Sequence, residues 1–266
     1  MTIATRDQLV AALTGAQRFA LTKASVANMT AGVLCSLWGS AGFPVAGANP
    51  GTGSGAAADR TTAGAIPLAA LGGGNTGYLA RVAASLGVAG SLVVYDRLVH
   101  TSGLSGTVAS PTAQTVNTAA LTRSTDGEGV EAFLEWYADT GATVVTATIS
   151  YTNSDGTPGR TGTVALAATR RARTMLPITL QAGDRGVLSV ETVTLSASTL
   201  AAGNFGVTLG KRIAIVGAPL ANVSYEADYA QLAAPLVLDG ACLALAVLCS
   251  TTSTGLLYGD LAVMEG

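Results

Sequence analysis

Residues 145–168, VTATISYTNSDGTPGRTGTVALAA, decide the fold. Val145, Ala147, Ile149 and Tyr151 alternate with Thr146, Thr148, Ser150 and Thr152, the period-two pattern of a strand with one dry face and one wet face. Asn153-Ser154-Asp155-Gly156 then supplies turn residues, and Thr161 to Ala168 reads as the returning strand of a hairpin. The same grammar spreads outward. Val130, Ala132, Leu134 and Trp136 alternate with Glu131, Phe133, Glu135 and Tyr137, and Phe205, Val207 and Leu209 run on towards Ile213 and Ile215. Within Leu188 to Leu195 the apolar phase slips between Val190 and Val193, as at a β-bulge. Leu243 to Cys249 and Gly255 to Met264 are apolar on both faces in part, as strands near the centre of a sandwich are. Short Thr- and Val-rich strands punctuated by Gly and Asp-Gly predict an all-β fold, an antiparallel β-sandwich of jelly-roll-like type.

The start of the chain differs. Thr5-Arg6-Asp7-Gln8 fits a capping box, and Leu9, Leu13, Ala16 and Ala20 follow at helical spacing, with Phe19 beside the stripe. This predicts an N-terminal helix that packs on its own domain or docks on a neighbouring subunit; in the second case Leu9 and Leu13 are the candidate contacts. From Ala41 to Gly77 the chain is Gly, Ala, Pro and Thr, interrupted only by Ile66 to Leu71, which predicts an extended arm. The expected division is therefore residues 1–77 as helix and arm, and residues 78–266 as the β-sandwich domain.

Composition points to assembly. Only 11% of the 266 residues are charged although 49% are hydrophobic, against roughly 25% charged in an ordinary soluble domain. A folded monomer of this length exposes on the order of 10,600 Å², or about one charge per 350 Å². Mixed charge keeps small domains apart, so a surface this sparse suits a subunit covered by neighbours. No apolar run approaches the ~20 residues of a spanning helix, so no membrane partner is expected, and no signal peptide is visible. A net charge of -2 gives no general attraction to nucleic acid. Cys35, Cys242 and Cys249, odd in number and set in apolar flanks, read as buried thiols made in a reducing cytoplasm rather than as a disulfide framework.

Motifs with chemistry are few. Gly72-Gly73-Gly74-Asn75-Thr76-Gly77 matches a dinucleotide fingerprint literally, with Asp96 downstream, but Ile66-Pro67 disfavours the preceding strand and no βα alternation follows, so a loop is expected. The sole histidine, His100, cannot supply a multi-histidine metal site, and no G-x-S-x-G elbow accompanies it. Glu131 and Glu135 lie about 13–14 Å apart along one strand face, too wide for a glycosidase pair, and are read as solvated or inter-subunit groups. No catalytic, cofactor or metal residue is assigned. Arg170-Arg171-Ala172-Arg173 is the one dense charge cluster, and Arg170, Arg171 and Arg173 are candidate subunit contacts that would clamp a partner's carboxylates, contact a packaged phosphate, or stand solvated in a loop.

Several segments carry a resemblance: Val94-Tyr95-Asp96-Arg97-Leu98, Leu104-Ser105-Gly106-Thr107, Ser150-Tyr151-Thr152-Asn153, Ala182-Gly183-Asp184-Arg185-Gly186-Val187 and Ala202-Gly203-Asn204-Phe205-Gly206-Val207. Together, from about Trp38 to the end, the chain resembles virion structural proteins of tailed double-stranded DNA bacteriophages. The resemblance implies a multi-copy, non-enzymatic component of the virion, made in the bacterial cytoplasm, and brings no catalytic residues. The expected role is a head decoration or cement protein that contacts copies of itself, as a trimer or another homo-oligomer, and a major capsid protein. The alternative is a tail, fibre or receptor-binding component that recognises a host surface or glycan; an enzyme acting on cell-wall polysaccharide is the third reading.

Overall fold

In the structure, a computed structural model that describes residues 3–52 and 55–266, the chain enters through helix α1 (Arg6–Thr14) and is otherwise β. The first strands are β1 (Gln17–Lys23), β2 (Leu34–Ser36), β3 (Gly42–Phe43), β4 (Ala56–Ala57), β5 (Gly77–Leu86) and β6 (Gly90–His100). The middle of the chain forms β7 (Gln114–Thr115), β8 (Val130–Ala138), β9 (Val145–Asn153), β10 (Arg160–Leu166), β11 (Thr174–Pro177) and β12 (Val187–Leu195). The last strands are β13 (Asn204–Ala218), β14 (Ser224–Asp228), β15 (Leu236–Val237), β16 (Leu243–Cys249) and β17 (Leu257–Glu265). Neighbouring strands pair antiparallel, for example β9 with β10 and β5 with β17.

The β9–β10 hairpin forms where the opening segment places it. Asn153 Oδ1 accepts the amides of Asp155 (3.1 Å) and Thr157 (2.9 Å), and Gly156 takes the left-handed φ of 76° that the turn requires. The phase slip in β12 is a bulge, seen as a register shift between Val190 and Thr192.

The chain divides into two units. Unit 1 comprises residues 1–48, 59–96 and 213–266, and unit 2 comprises residues 49–58 and 97–212. The division falls inside β6 and β13, so the chain leaves unit 1 along β6 and returns to it along β13. In unit 1 one sheet runs β14-β5-β17-β1-β3, with β15 also on β5, and the other contains β2-β16-β6-β13. In unit 2 the sheets contain β11-β8-β13-β6 and β10-β9-β12-β7. Numbering the eight main strands of either unit in chain order gives the same two sheets, 1-8-3-6 and 2-7-4-5, which is the jelly roll. One jelly roll is thus inserted between the fourth and fifth strands of another.

The expected boundary at residue 77 is replaced by this discontinuous division. Residues 1–77 contain the extended Gly/Pro/Ala-rich segment, but they also supply β1, which lies between β17 and β3, and β2, which pairs with β16. The helix stops at Thr14, with Gly15 as its cap. Ala16 and Ala20 satisfy helical spacing, but Phe19 and Leu21 face inward from a strand, and Leu21 is buried. Buried Lys23 ends β1 with its ammonium donating to the carbonyls of Ser40 (3.0 Å) and Pro44 (2.5 Å). The extended segment runs along its own chain: Gly47 N–H donates to Trp38 O, and Ile66 N–H to Leu243 O, in unit 1.

Each unit has its own core. Unit 1 packs Leu21, Leu37, Leu79, Val82, Leu92 and Leu245 with their neighbours. Unit 2 buries Ile149, Tyr151, Val190 and Val193, and stacks Trp136 on Phe205 with ring centroids 5.4 Å apart. Gly206 is required in β13, because a Cβ there would stand 2.0 Å from Thr101 O. Removing residues 1–14 should lower the thermal midpoint of unit 1 but keep its cooperative unfolding in calorimetry. Removing residues 1–23, which also deletes β1 and Leu21, should abolish the cooperative unfolding of unit 1.

Candidate functional site

The strongest concentration of buried polar chemistry lies in unit 2. Arg97 on β6 and Glu135 on β8 are an ion pair at 2.7 Å, with side chains 0% and 2% exposed. Tyr137 accepts from Arg97 Nη2 at 3.2 Å and donates to Glu135 Oε2 at 3.3 Å, while Thr208 Oγ1 donates to the same oxygen at 2.5 Å. Arg97 Nε donates to His100 Nδ1 at 2.9 Å. Arg123, also buried, donates to the carbonyls of Ala58 (2.8 Å) and Arg97 (3.3 Å). This corrects the reading of Glu135 as a solvated or inter-subunit group: from Ala132 to Trp136 both faces of β8 are covered. Glu131 does sit at the surface, paired with Arg212.

His100 accepts Arg97 as a neutral ring. Burial first, and the neighbouring guanidinium second, lower its pKa to about 3, with Glu135 opposing. The folded protein therefore refuses a proton that the unfolded chain takes below about pH 6.5. The contribution is complete above that pH and is lost as the pH falls towards 3. A second network, Tyr151, Asn153 and Arg160 around Asp184, joins β9 and β10 to the loop before β12, and the Arg160 bonds and the Tyr151 hydroxyl hold the Asp184 pKa at about 2.

The predicted contact residues are dispersed. Leu9 and Leu13 are half-buried on unit 1 itself, where α1 covers Ala80, Ala262 and Met264. Arg170 is buried, its amide donates to Thr140 Oγ1 (2.9 Å) and its carbonyl accepts the Thr140 amide (2.9 Å), and it has no partner for Nε among the described residues; burial lowers its pKa. Arg171 pairs with Asp139 at 2.6 Å. Arg173 has a positive φ of 75° and donates its amide to Trp136 O at 2.6 Å. Three consecutive-looking cations thus serve three separate ends.

The Gly72–Gly77 loop leads into strand β5, not a helix, and the Gly72 amide and Asn75 Nδ2 both donate to Glu265 Oε2 (2.9 and 3.0 Å) of the same chain. Asp96 is buried and accepts the Cys242 amide at 2.8 Å. The three cysteines are buried thiols. Two shallow grooves on unit 1, of about 440 Å³ along Phe43–Val45 and Arg60–Leu68 and about 200 Å³ along Thr22–Ala24 and Leu256–Tyr258, bring together no acid, base and nucleophile. Among the described residues, no group of three or more His, Cys, Asp or Glu is placed to hold a metal ion, and no helix is long and apolar enough to cross a membrane.

No family model matches the chain, and no curated protein does. Among solved structures, a chain from the structure of infectious bursal disease virus Gt strain aligns over 94% of this chain and 42% of its own length, at 13% identity and a TM-score of 0.11. An alignment that loose assigns no fold; this chain spans about two fifths of the length of that one.

What the surface does offer is exposed apolar side chains. Ten of the twelve large ones among the described residues lie in unit 1, including Ile215, Leu220, Leu236, Leu248, Leu256 and Tyr258; only Val144 and Leu200 lie in unit 2. The buried ion pair has a sharper test. Glu135→Ala should cost roughly 3–5 kcal/mol in urea unfolding, because it strands the Arg97 charge, whereas Arg97→Met with Glu135→Leu should recover most of the loss.

Proposed function

We propose that this chain is a structural subunit of a virus particle, present in many copies and held by contacts with itself and with other virion subunits. The observation that carries the reading is the nested pair of jelly rolls, an architecture that recurs in capsid domains. Two features of unit 1 support it. Its second sheet (Leu34–Ser36, residues 90–96, residues 213–218 and Leu243–Cys249) carries a single charged side chain, the buried Asp96 that accepts the Cys242 amide, and is otherwise uncharged on both faces, the pattern of a sheet covered on both sides. Yet Leu248 and Ile215 on that sheet are 42% and 47% exposed. Apolar surface of this kind finds its cover in a neighbour.

Within that reading, the phage-like segments favour a decoration or cement subunit on the head of a tailed phage, bound to the major capsid protein. Chemistry done by a bound substrate plays no part in the role: the work is burial of uncharged surface between subunits. Quantitative mass spectrometry of purified virions tests it. A copy number comparable with that of the shell protein is expected; a handful per particle would move the subunit to the tail or a fibre, and absence from purified virions would overturn the proposal.

A further inference from the structure

Eight hydroxyl side chains of unit 2 stand in two rows on one sheet face. The registers set Thr194 beside Thr148, Thr148 beside Thr163, and Thr163 beside Thr179. The next row sets Thr161 beside Ser150, Ser150 beside Thr192, and Thr192 beside Thr115. The residues between them in sequence, Ile149, Gly162 and Val193, are buried, so the rows face away from the core, and none of the eight is buried. Among the described residues, no protein group hydrogen-bonds to any of these eight hydroxyls. The next pair along, Thr152 and Ser189, is committed: both hydroxyls donate to Glu191 Oε1, at 2.9 and 2.7 Å, which closes the array at that end.

Strand propensity accounts for threonine on each strand, but not for this face. Solvated sheet faces ordinarily carry Lys, Glu and Arg, and neither row contains a charge or an amide although the rows draw on five separate chain segments. The result is a neutral grid with about 4.8 Å between strands and about 6.8 Å between rows. Each node can both donate and accept a hydrogen bond, and the threonine methyls lie between the nodes. A sugar ring presents the complement: two-way hydroxyls around its rim and apolar C–H groups on its faces. An anionic polymer would find no cation here, and a peptide strand would need a free edge rather than a face.

We propose that this hydroxyl face of unit 2 binds a neutral polysaccharide. One copy would bind weakly, since each new hydrogen bond replaces one to water, and many copies on one particle would multiply the attachment. The proposal does not rest on the virion reading, and the copy count can succeed or fail independently of it. Affinity electrophoresis of the full chain tests it, in native gels cast with dextran, galactomannan or xyloglucan, and with polygalacturonate as the anionic contrast. Retardation is expected in at least one neutral matrix and not in polygalacturonate. The triple variant Thr148→Val, Thr163→Val, Thr194→Val keeps the β-branched shape and should keep its thermal midpoint, but should weaken retardation at least about tenfold. The matching triple serine variant, which keeps the hydroxyls, should stay within about twofold of the parent. Absence of retardation in all three neutral matrices, equal retardation of the valine variant, or retardation only by polygalacturonate would each overturn the proposal.

Discussion

The pairing of β6 with β13 is the constraint on which the rest of the structure depends. Each strand serves unit 1 over part of its length and unit 2 over the remainder. In the jelly-roll order the first and eighth strands are neighbours, and so are the fourth and fifth. A second jelly roll can therefore be inserted between strands four and five of the first without breaking a pairing, because the ends of the insert already lie side by side. The insertion also helps its host: once unit 2 has formed, the long loop between residues 96 and 213 is closed, and the remaining closure cost for unit 1 grows only slowly with length.

That dual service explains the composition of the two strands. In Ser91-Leu92-Val93-Val94-Tyr95-Asp96-Arg97-Leu98-Val99-His100 there is no clean alternation, since nearly every residue is covered. The charges admitted into such a strand must find partners within it or across from it. Asp96 takes the Cys242 amide, and Arg97 takes Glu135, Tyr137 and His100. Several of the scarce surface charges are likewise paired inside the chain: Arg81 meets Asp260 and Glu226, and Arg160 meets Asp184. Little unpaired charge is left to keep neighbours apart, and the two units differ in what they leave uncovered. Unit 1 leaves apolar side chains and unit 2 leaves hydroxyls.

Local pattern was legible in the sequence; long-range order was not. The alternation of Val145–Thr152, the Asn153–Gly156 turn and the slip before Val193 all correspond to features of the sheets, because each is set by neighbours in sequence. The Thr5–Gln8 capping box is present for the same reason. Strand β1 was hidden because Ala16 and Ala20 fit a helical stripe, and Gly15 gave the one hint of a stop. The nesting was hidden because strand order is not a local property. Glu135 looked solvated because alternation with Leu134 and Trp136 implies a wet face, and only the covered outer side of β8 reverses that. The arginine cluster at residues 170–173 was visible as composition, but its three side chains take separate environments that spacing does not specify. The hydroxyl rows were half visible: Thr146, Thr148, Ser150 and Thr152 announce a polar face, while its continuation through Thr115, Thr179 and Thr194 needs the register.

Residue-resolved hydrogen exchange measures the shared strands directly. If β6 and β13 run through both sandwiches, the amides of residues 92–96 and 213–216 should be among the slowest to exchange in unit 1, and those of residues 97–99 and 205–212 among the slowest in unit 2. Fast exchange of either stretch of β6 and β13, while the other strands of the same unit stay protected, would contradict it, because that sandwich would then hold together without those strands.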